Sequence, residues 1–515
     1  MSSAPLSEVL GPEPARVEDV LARWAAVASG RLAIVEDHRQ WTFGELQTAV
    51  QHATRWLIEA EIRSGDRVVL VCENSCGAVA LYFACTTLGA WPVIVHASLS
   101  EREIDEVAAH SDARRMIFAI STSVRAKTHS ARCKATIHHV GGIGQIGLGP
   151  LNEHAVPELQ EDDPGDSVAA VIYTTGTTGC PKGVMLTHRN LLFVAGATSD
   201  ARRLGPEDRV YTVLPVSHSL GLTGVLLGSL LRGATIRIPA RFDPQHVVRA
   251  LAHEQISVMI GTPSMFAMIA QFAQRKGKVP ISAPALRLIS SAGAPLDAGT
   301  KGAAEAAFAL PLHNGYGITE CGPSLTLTSI DAPSTDCSIG RPLPGVEARL
   351  TGAADESSGE LWVRTPGLMK GYYKAPDDTR DIIDSERWFR TGDLVRRDAN
   401  GNYFIIGRAK ELIIRFGFNV HPAEIEAALN EHPSVFRCAV VGRPAGDTEE
   451  IVAFVQLADW TAATACELSD HLAGRLAPYK RPTEIIIAAD MPVTPTGKIL
   501  KADLARRLTE SRAAA

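Results

Sequence analysis

Arg67-Val68-Val69-Leu70-Val71 follows the turn Gly65-Asp66 and leads into an Ala/Leu-rich stretch from Ala78 to Leu88. Gly89 and a second apolar run, Trp91-Pro92-Val93-Ile94-Val95, come next. A short apolar run after a turn suits a buried strand, and the stretch closed by a glycine suits a helix with a left-handed end. Strand–helix–strand in so few residues implies parallel sheets covered by helices. Val210 to Leu214, Thr235 to Ile238 and Ser257 to Ile260 repeat the strand pattern. They flank helical patterns at Leu220 to Leu231 and Pro244 to His253.

A chain of 515 residues is too long for one hydrophobic core, so two or more domains are expected. The texture changes near Asp393. Asn400-Gly401-Asn402 marks a turn between strand-like runs Leu394 to Arg397 and Tyr403 to Ile406, and the charged stretch Arg408-Ala409-Lys410-Glu411 follows. The boundary is placed there. A large N-terminal domain, residues 1–408, carries helix-covered sheets, and a small α+β domain, residues 409–515, completes an α/β chain. A helix from Pro422 to Asn430 is expected in the small domain, with proline at its start and acids in its first turns.

The net charge of −6, with no basic run, gives no electrostatic footprint for nucleic acid. No apolar stretch is long enough for a membrane span, and Met1 to Ala15 lacks a signal-peptide pattern. The nine cysteines are scattered, with no disulfide framework or zinc spacing. Structural thiols in a reducing, cytoplasmic compartment are the expectation.

The strongest local signal is Tyr173-Thr174-Thr175-Gly176-Thr177-Thr178-Gly179-Cys180-Pro181-Lys182-Gly183, after the apolar run Val168 to Ile172. Small residues let backbone N–H groups and hydroxyls close around phosphate oxygens, and Lys182 adds a charge. By composition alone a Thr/Gly linker accounts for it equally well. The Gly-Lys-Ser/Thr ending of a Walker loop is absent.

With Val184 to Asn190 after it, this segment resembles the phosphate loop of the adenylate-forming superfamily, which holds acyl-CoA synthetases, peptide-synthetase adenylation domains and firefly luciferase. Four further segments match in order, and the resemblance runs from Trp41-Thr42-Phe43 to Lys498. In Asn314-Gly315-Tyr316-Gly317-Ile318-Thr319-Glu320, it implies that Tyr316 lies against adenine, Thr319 contacts the α-phosphate and Glu320 helps hold Mg²⁺. In Thr391-Gly392-Asp393 it gives Asp393 the ribose hydroxyls. In Gly407-Arg408-Ala409-Lys410-Glu411 it sets Arg408 beside the nucleotide and makes Lys410 the hinge about which a mobile C-terminal domain turns. Gly417 would let pantetheine pass, although a simple turn glycine reads equally well there. In Pro495-Thr496-Gly497-Lys498-Ile499-Leu500, Lys498 would reach the substrate carboxylate and α-phosphate.

His218, in Leu214-Pro215-Val216-Ser217-His218-Ser219-Leu220-Gly221, matches the position at the mouth of the acyl pocket. Leu220, Leu222, Ser291, Ala292, Gly293, Ala294, Cys321 and Gly322 come from segments that line it in relatives. These are apolar or small and none is cationic, so an acid with an apolar aliphatic or aryl tail is expected.

The resemblance implies two steps. The acid attacks the α-phosphate of Mg·ATP to give acyl-AMP and pyrophosphate, and the thiol of coenzyme A then displaces AMP. The alternatives are an acyl-AMP ligase that loads a carrier protein, a luciferase-like oxygenase, and a nucleotide-binding protein without catalysis. The last would lack Lys498, Glu320 or Asp393, and all three are present. Homodimers occur in the family, and the Lys498 segment resembles sites modified by lysine acetyltransferases.

Overall fold

The computed structural model describes residues 13–175, 181–352, 357–416, 418–445, 448–458, 462–494 and 497–513. A large N-terminal part with extensive sheets is followed by a smaller C-terminal domain. The expected run is present as strand Arg67–Cys72, helix Cys76–Leu88 and strand Trp91–His96. The two strands pair in parallel from Arg67↔Trp91 to Cys72↔His96. Ser75 caps the helix by accepting from Ala78 N–H, and Gly89 closes it at φ 77°, where a β-carbon would be strained.

These strands lie in an eight-stranded sheet, and a nine-stranded sheet forms the second large layer. Parallel pairing fills the middle of both, while the edges are antiparallel. Gln40–Thr42 pairs antiparallel with Leu32–Val35, and Pro181–Thr187 pairs antiparallel with Val168–Thr175. Links this short cannot carry a crossover, so these neighbours must run in opposite directions. Thr175 pairs with Pro181. Gly176, Thr177, Thr178, Gly179 and Cys180 lie outside the described residues, as do Gly417, Pro495 and Thr496.

Two expected elements differ. The strand expected over Val210 to Leu214 spans only Arg209–Tyr211. Beyond it, the Asn74 side chain donates to the Leu214 carbonyl and accepts from Val216 N–H, so the chain leaves the sheet. The helix expected over Leu220 to Leu231 is a fully buried π-helix, Leu220–Leu227, continued by the α-helical turn Gly228–Leu231. The helices Pro244–His253 and Pro422–Asn430 have the expected bounds.

The strand Phe389–Arg397 carries Thr391-Gly392-Asp393 and pairs antiparallel with Tyr403–Arg408 in a four-stranded sheet. A 3₁₀ turn, Ala409–Glu411, leads from it into the C-terminal domain. There Val435–Ala445, Thr448–Leu457 and Glu484–Ile487 form a sheet, with Ile425, Leu429, Val440, Leu468 and Leu472 in its core.

Thr187 ends its strand as the N-cap of helix His188–Ala201, with Asn190 completing a capping box. His188 is buried, and its Nδ1 accepts from Val17 N–H at 3.1 Å. Burial, then nearby Arg16, pushes its pKa from 6.5 down to about 3. The unfolded chain therefore binds this proton first, and stability is lost as pH falls below 6.5. The slope contributed is at most about 1.4 kcal/mol per pH unit until His188 itself protonates. Denaturant titrations in that window should show a shallower pH dependence for His188→Gln than for the wild type. Equal slopes would remove His188 from the acid sensitivity.

Candidate active site

A cavity of about 950 Å³ opens where the N-terminal part meets the C-terminal domain. Its wall includes Thr174, Lys182, His218, Leu220, Gly293, Tyr316, Thr319, Glu320, Arg408, Lys410 and Lys498. Side chains far apart in sequence are thus brought to one space by the two large sheets, the 389–408 hairpin and the C-terminal domain.

Tyr316 ends the strand Leu312–Tyr316 and donates its hydroxyl to Asp393. Burial, then the Asp393 charge, raises the phenol pKa well above its usual value, so Tyr316 stays neutral. Asp393 also accepts from Arg408 Nε at 2.8 Å and is only 3% exposed. Its two oxygens are therefore already engaged behind the wall, which is formed here by Thr391 and Gly392. Each carboxylate oxygen keeps a second acceptor position, so a diol can still be met from the cavity side.

Glu320 accepts from the Tyr372 hydroxyl at 2.7 Å, and Thr319 Oγ1 lies 3.0 Å from Ser219 Oγ. Among the described residues, no group of three or more His, Cys, Asp or Glu side chains gathers to hold a metal. Glu320 lines the cavity without a second metal-ligating cluster beside it among the described residues, and this suits Mg²⁺, which takes one or two protein carboxylates and completes its shell with phosphates and water. The donor set therefore fits the ion, held by Glu320 together with the nucleotide.

Lys182 lies 2.8 Å from Asp378 and 5.0 Å from the centre of the Tyr372 ring. To meet a phosphate it must exchange one anion for another. Lys498 sits in a turn in which its own N–H donates to Thr494 Oγ1. Lys498 lines the cavity and is exposed. Desolvation, then the Arg408 charge, holds its ammonium below the ordinary lysine value. Among the described residues no carboxylate forms a salt bridge with it. The next lysine, Lys501, pairs with Glu411 at 2.7 Å and Glu426 at 2.9 Å, tying the last helix to the segment after Lys410.

His218 accepts from Leu220 N–H through Nδ1. Burial, then the Lys498 charge, lowers its pKa to about 4, so it is neutral near pH 7. Of the residues expected around the acyl pocket, Leu220, Ala292 and Gly293 line the cavity. Leu222 and Cys321 are fully buried in the core behind it, and Ser291, Ala294 and Gly322 also lie outside the lining. On the buried π-helix only part of the surface can face the cavity, so Leu220 reaches it and Leu222 does not. Thr174 lines the cavity, and Thr175 contributes its place in the strand.

Tyr372 and Arg202 are among the lining residues that no sequence motif points to. Tyr372 follows no motif, and it meets Glu320 because Gly371–Tyr372 adds to the edge of the eight-stranded sheet. Arg202, just past the helix His188–Ala201, reads as an ordinary helix-end cation but lines the cavity with 2% of its surface exposed.

A family model described as "AMP-binding enzyme" matches residues 21–373, and "AMP-binding enzyme C-terminal domain" matches 424–498. A feruloyl-CoA synthase of an Amycolatopsis species is 31% identical, covering 97% of this chain and 99% of its own. A sulfoacetate–CoA ligase of Cupriavidus necator is 33% identical over 90% of this chain and 92% of its own. The crystal structure of ATP-bound MatB from Rhodopseudomonas palustris superposes with a TM-score of 0.83 at 27% identity. It covers 96% of this chain and 99% of that one. Among the described residues, no helix is long and apolar enough to cross a membrane. The chain belongs to the AMP-binding enzyme family, as an ATP-dependent acid–thiol ligase of the acyl-CoA synthetase kind.

Proposed function

We propose that this ligase takes an acid with an apolar aliphatic or aryl tail, forms its acyl-AMP in the 950 Å³ cavity, and passes the acyl group to coenzyme A there. The observation that carries the reading is the meeting of Lys182, Lys498, Glu320 and Tyr316 in one wall. Tyr316 stacks on adenine and Asp393, steadied by Arg408, accepts the ribose hydroxyls. Thr174 and Thr175 contribute to phosphate binding, with Gly176, Thr177, Thr178 and Gly179 as further phosphate-binding residues. Lys182 and Lys498 offset charge as the carboxylate approaches phosphorus, because a fixed cation costs no reorganisation at that moment. Glu320 would hold magnesium together with the nucleotide, and the ion would supply neutralisation of phosphate charge. Neutral His218 orients the carboxylate without trapping it as an ion pair.

Lys498 faces the cavity in this arrangement, which is the one needed for adenylation. Rotation of residues 409–515 against residues 1–408 about Lys410 would withdraw it and bring the segment around Gly417 to the pantetheine path. A hinge of a few residues is enough for such a change. A carrier protein is the less favoured acceptor, since the relatives are named as CoA ligases. A cytoplasmic location, a homodimer and acetylation of Lys498 complete the reading, and acetylation would silence adenylation by removing the charge.

The test is incubation with Mg·ATP and aliphatic and aryl acids, with and without CoA, following pyrophosphate, AMP and acyl-CoA separately. CoA-dependent AMP release with thioester formed is the expected result. Pyrophosphate release without thioester would overturn CoA as the acceptor.

A further inference from the structure

Arg202 is a cation buried with too few partners. Its Nη1 donates to the Gly224 carbonyl at 2.9 Å, while its Nε is buried with no hydrogen-bond partner among the described residues. No acidic side chain among the described residues forms a salt bridge with it. Its surroundings lower the guanidinium pKa to about 10, by burial. A guanidinium has five donors, and burying one without an anion is among the costlier arrangements a fold can hold. Arg202 does close the helix His188–Ala201, where the dipole favours a cation. That accounts for its position in sequence, and the Gly224 bond ties the helix to the π-helix. Neither accounts for the idle Nε or for a side chain in the cavity wall.

The surroundings form one end of the acyl side of the cavity. Arg202 Nη1, Leu220 Cδ1 and Ser324 Oγ converge on Gly224, at 4.0, 3.2 and 3.7 Å from where a β-carbon would sit. Arg202, Leu220 and Ser324 all line the cavity. The backbone of Arg202 is fixed as well, its carbonyl accepting from both Nη atoms of Arg287. His218 precedes the π-helix and Gly224 lies inside it. Gly224 follows His218 by six residues of chain, mostly π-helix. A short chain or one aromatic ring spans that interval.

We propose that Arg202 is a specificity-determining residue, and that the acid taken by this enzyme carries a second anionic group, carboxylate or sulfonate, at the far end of its apolar body. The inference rests on the ligase reading and departs from the apolar-tail expectation at one point, the end of the acid remote from the reacting carboxylate, because Arg202 puts a buried cation in the wall. The reacting carboxylate meets His218 and Lys498, the body lies along Leu220 and Gly293, and the distal anion supplies the partner that Arg202 lacks. A site built around a buried charge discriminates strongly, because an acid ending in methyl leaves that charge unpaired.

The test uses the full-length enzyme with short α,ω-dicarboxylates and ω-sulfonated acids, each against the methyl-terminated acid of equal length. The expected wild-type preference in kcat/KM for the doubly anionic acids is on the order of 10²-fold or more. Arg202→Met should abolish or invert this preference, with the KM for ATP unchanged, and Arg202→Lys should restore part of it. If Arg202→Met does not fold, Arg202→Lys together with the wild-type ratio decides the matter. A wild-type preference for the methyl-terminated series, or a ratio unmoved by a folded Arg202 variant, would overturn the proposal. Turnover of neither series would count against the ligase reading instead. Calorimetric titration of the same acids into wild-type enzyme then decides this one, and equal affinity for both series overturns it.

Discussion

Replacing Lys498 by glutamine is expected to slow acid-dependent pyrophosphate release on the order of 10²- to 10³-fold, the usual cost of one preorganised charge contact at a reacting centre. The fold should not suffer. No described carboxylate forms a salt bridge with Lys498, its side chain is exposed, and the turn that carries it is held by Thr494 N–H donating to the Lys498 carbonyl and Lys498 N–H donating to Thr494 Oγ1. Melting temperature should therefore stay within a degree or two while adenylation collapses. Thioester formation from supplied acyl-AMP should be largely spared, since that step needs the other orientation of the C-terminal domain. The pH profile adds a second readout. Lys498 acts only as the ammonium ion, and its pKa is held below 10.5 by desolvation and by Arg408. The wild-type adenylation rate should therefore fall at a lower alkaline pH than an ordinary lysine would give, and Lys498→Gln should lack that limb. An unchanged rate in Lys498→Gln would place the catalytic cation elsewhere.

Gly317→Ala is expected to damage fold and activity together. A β-carbon at this position would lie 1.6 Å from the Pro323 carbonyl oxygen and 2.5 Å from its carbon. Both are backbone atoms and cannot swing aside. Tyr316, the residue before it, accepts from Leu325 N–H through its carbonyl at 2.9 Å, so the two backbone segments are locked together. Forcing them apart should cost at least about 3 kcal/mol, at the upper end of overpacking effects. It should also move Tyr316 by a distance on the order of 1 Å, enough to lower turnover about 10²-fold. Thermal melting and ATP binding would read the two effects separately. Gly392→Ala is the comparison. Gly392 has φ 73° and no atom within 4 Å of where a β-carbon would sit, so only backbone strain of about 1 kcal/mol should appear. Similar losses in both variants would show that glycine freedom, rather than the Pro323 contact, limits this site.

Local patterns carry far in this chain where the interactions are themselves local. Proline at the first turn and acids after it set the helix Pro422–Asn430, and a serine cap with a closing glycine set Cys76–Leu88. Short links fixed antiparallel edges that an overall strand–helix rhythm did not reveal. The strand after Arg209 ended early because Asn74, far away in sequence, takes its backbone groups. That competition is invisible in a sliding window. The same division runs through the site. Tyr316, Glu320, Arg408 and Lys498 stand in ordered motifs, so their resemblance to a known family pointed to one nucleotide site from the chain alone.

The family, the α/β architecture and the reaction type were thus determined by sequence, because helix periodicity, turn chemistry and motif order are written along the chain. Only the tertiary structure decided that Asp393 stands behind Tyr316, that Leu222 faces the core while Leu220 faces the cavity, and that Arg202 is buried in the cavity wall. The physical reason is direction. Where a side chain points depends on which elements pack together, and the partner that satisfies or abandons a buried charge comes from a distant part of the chain.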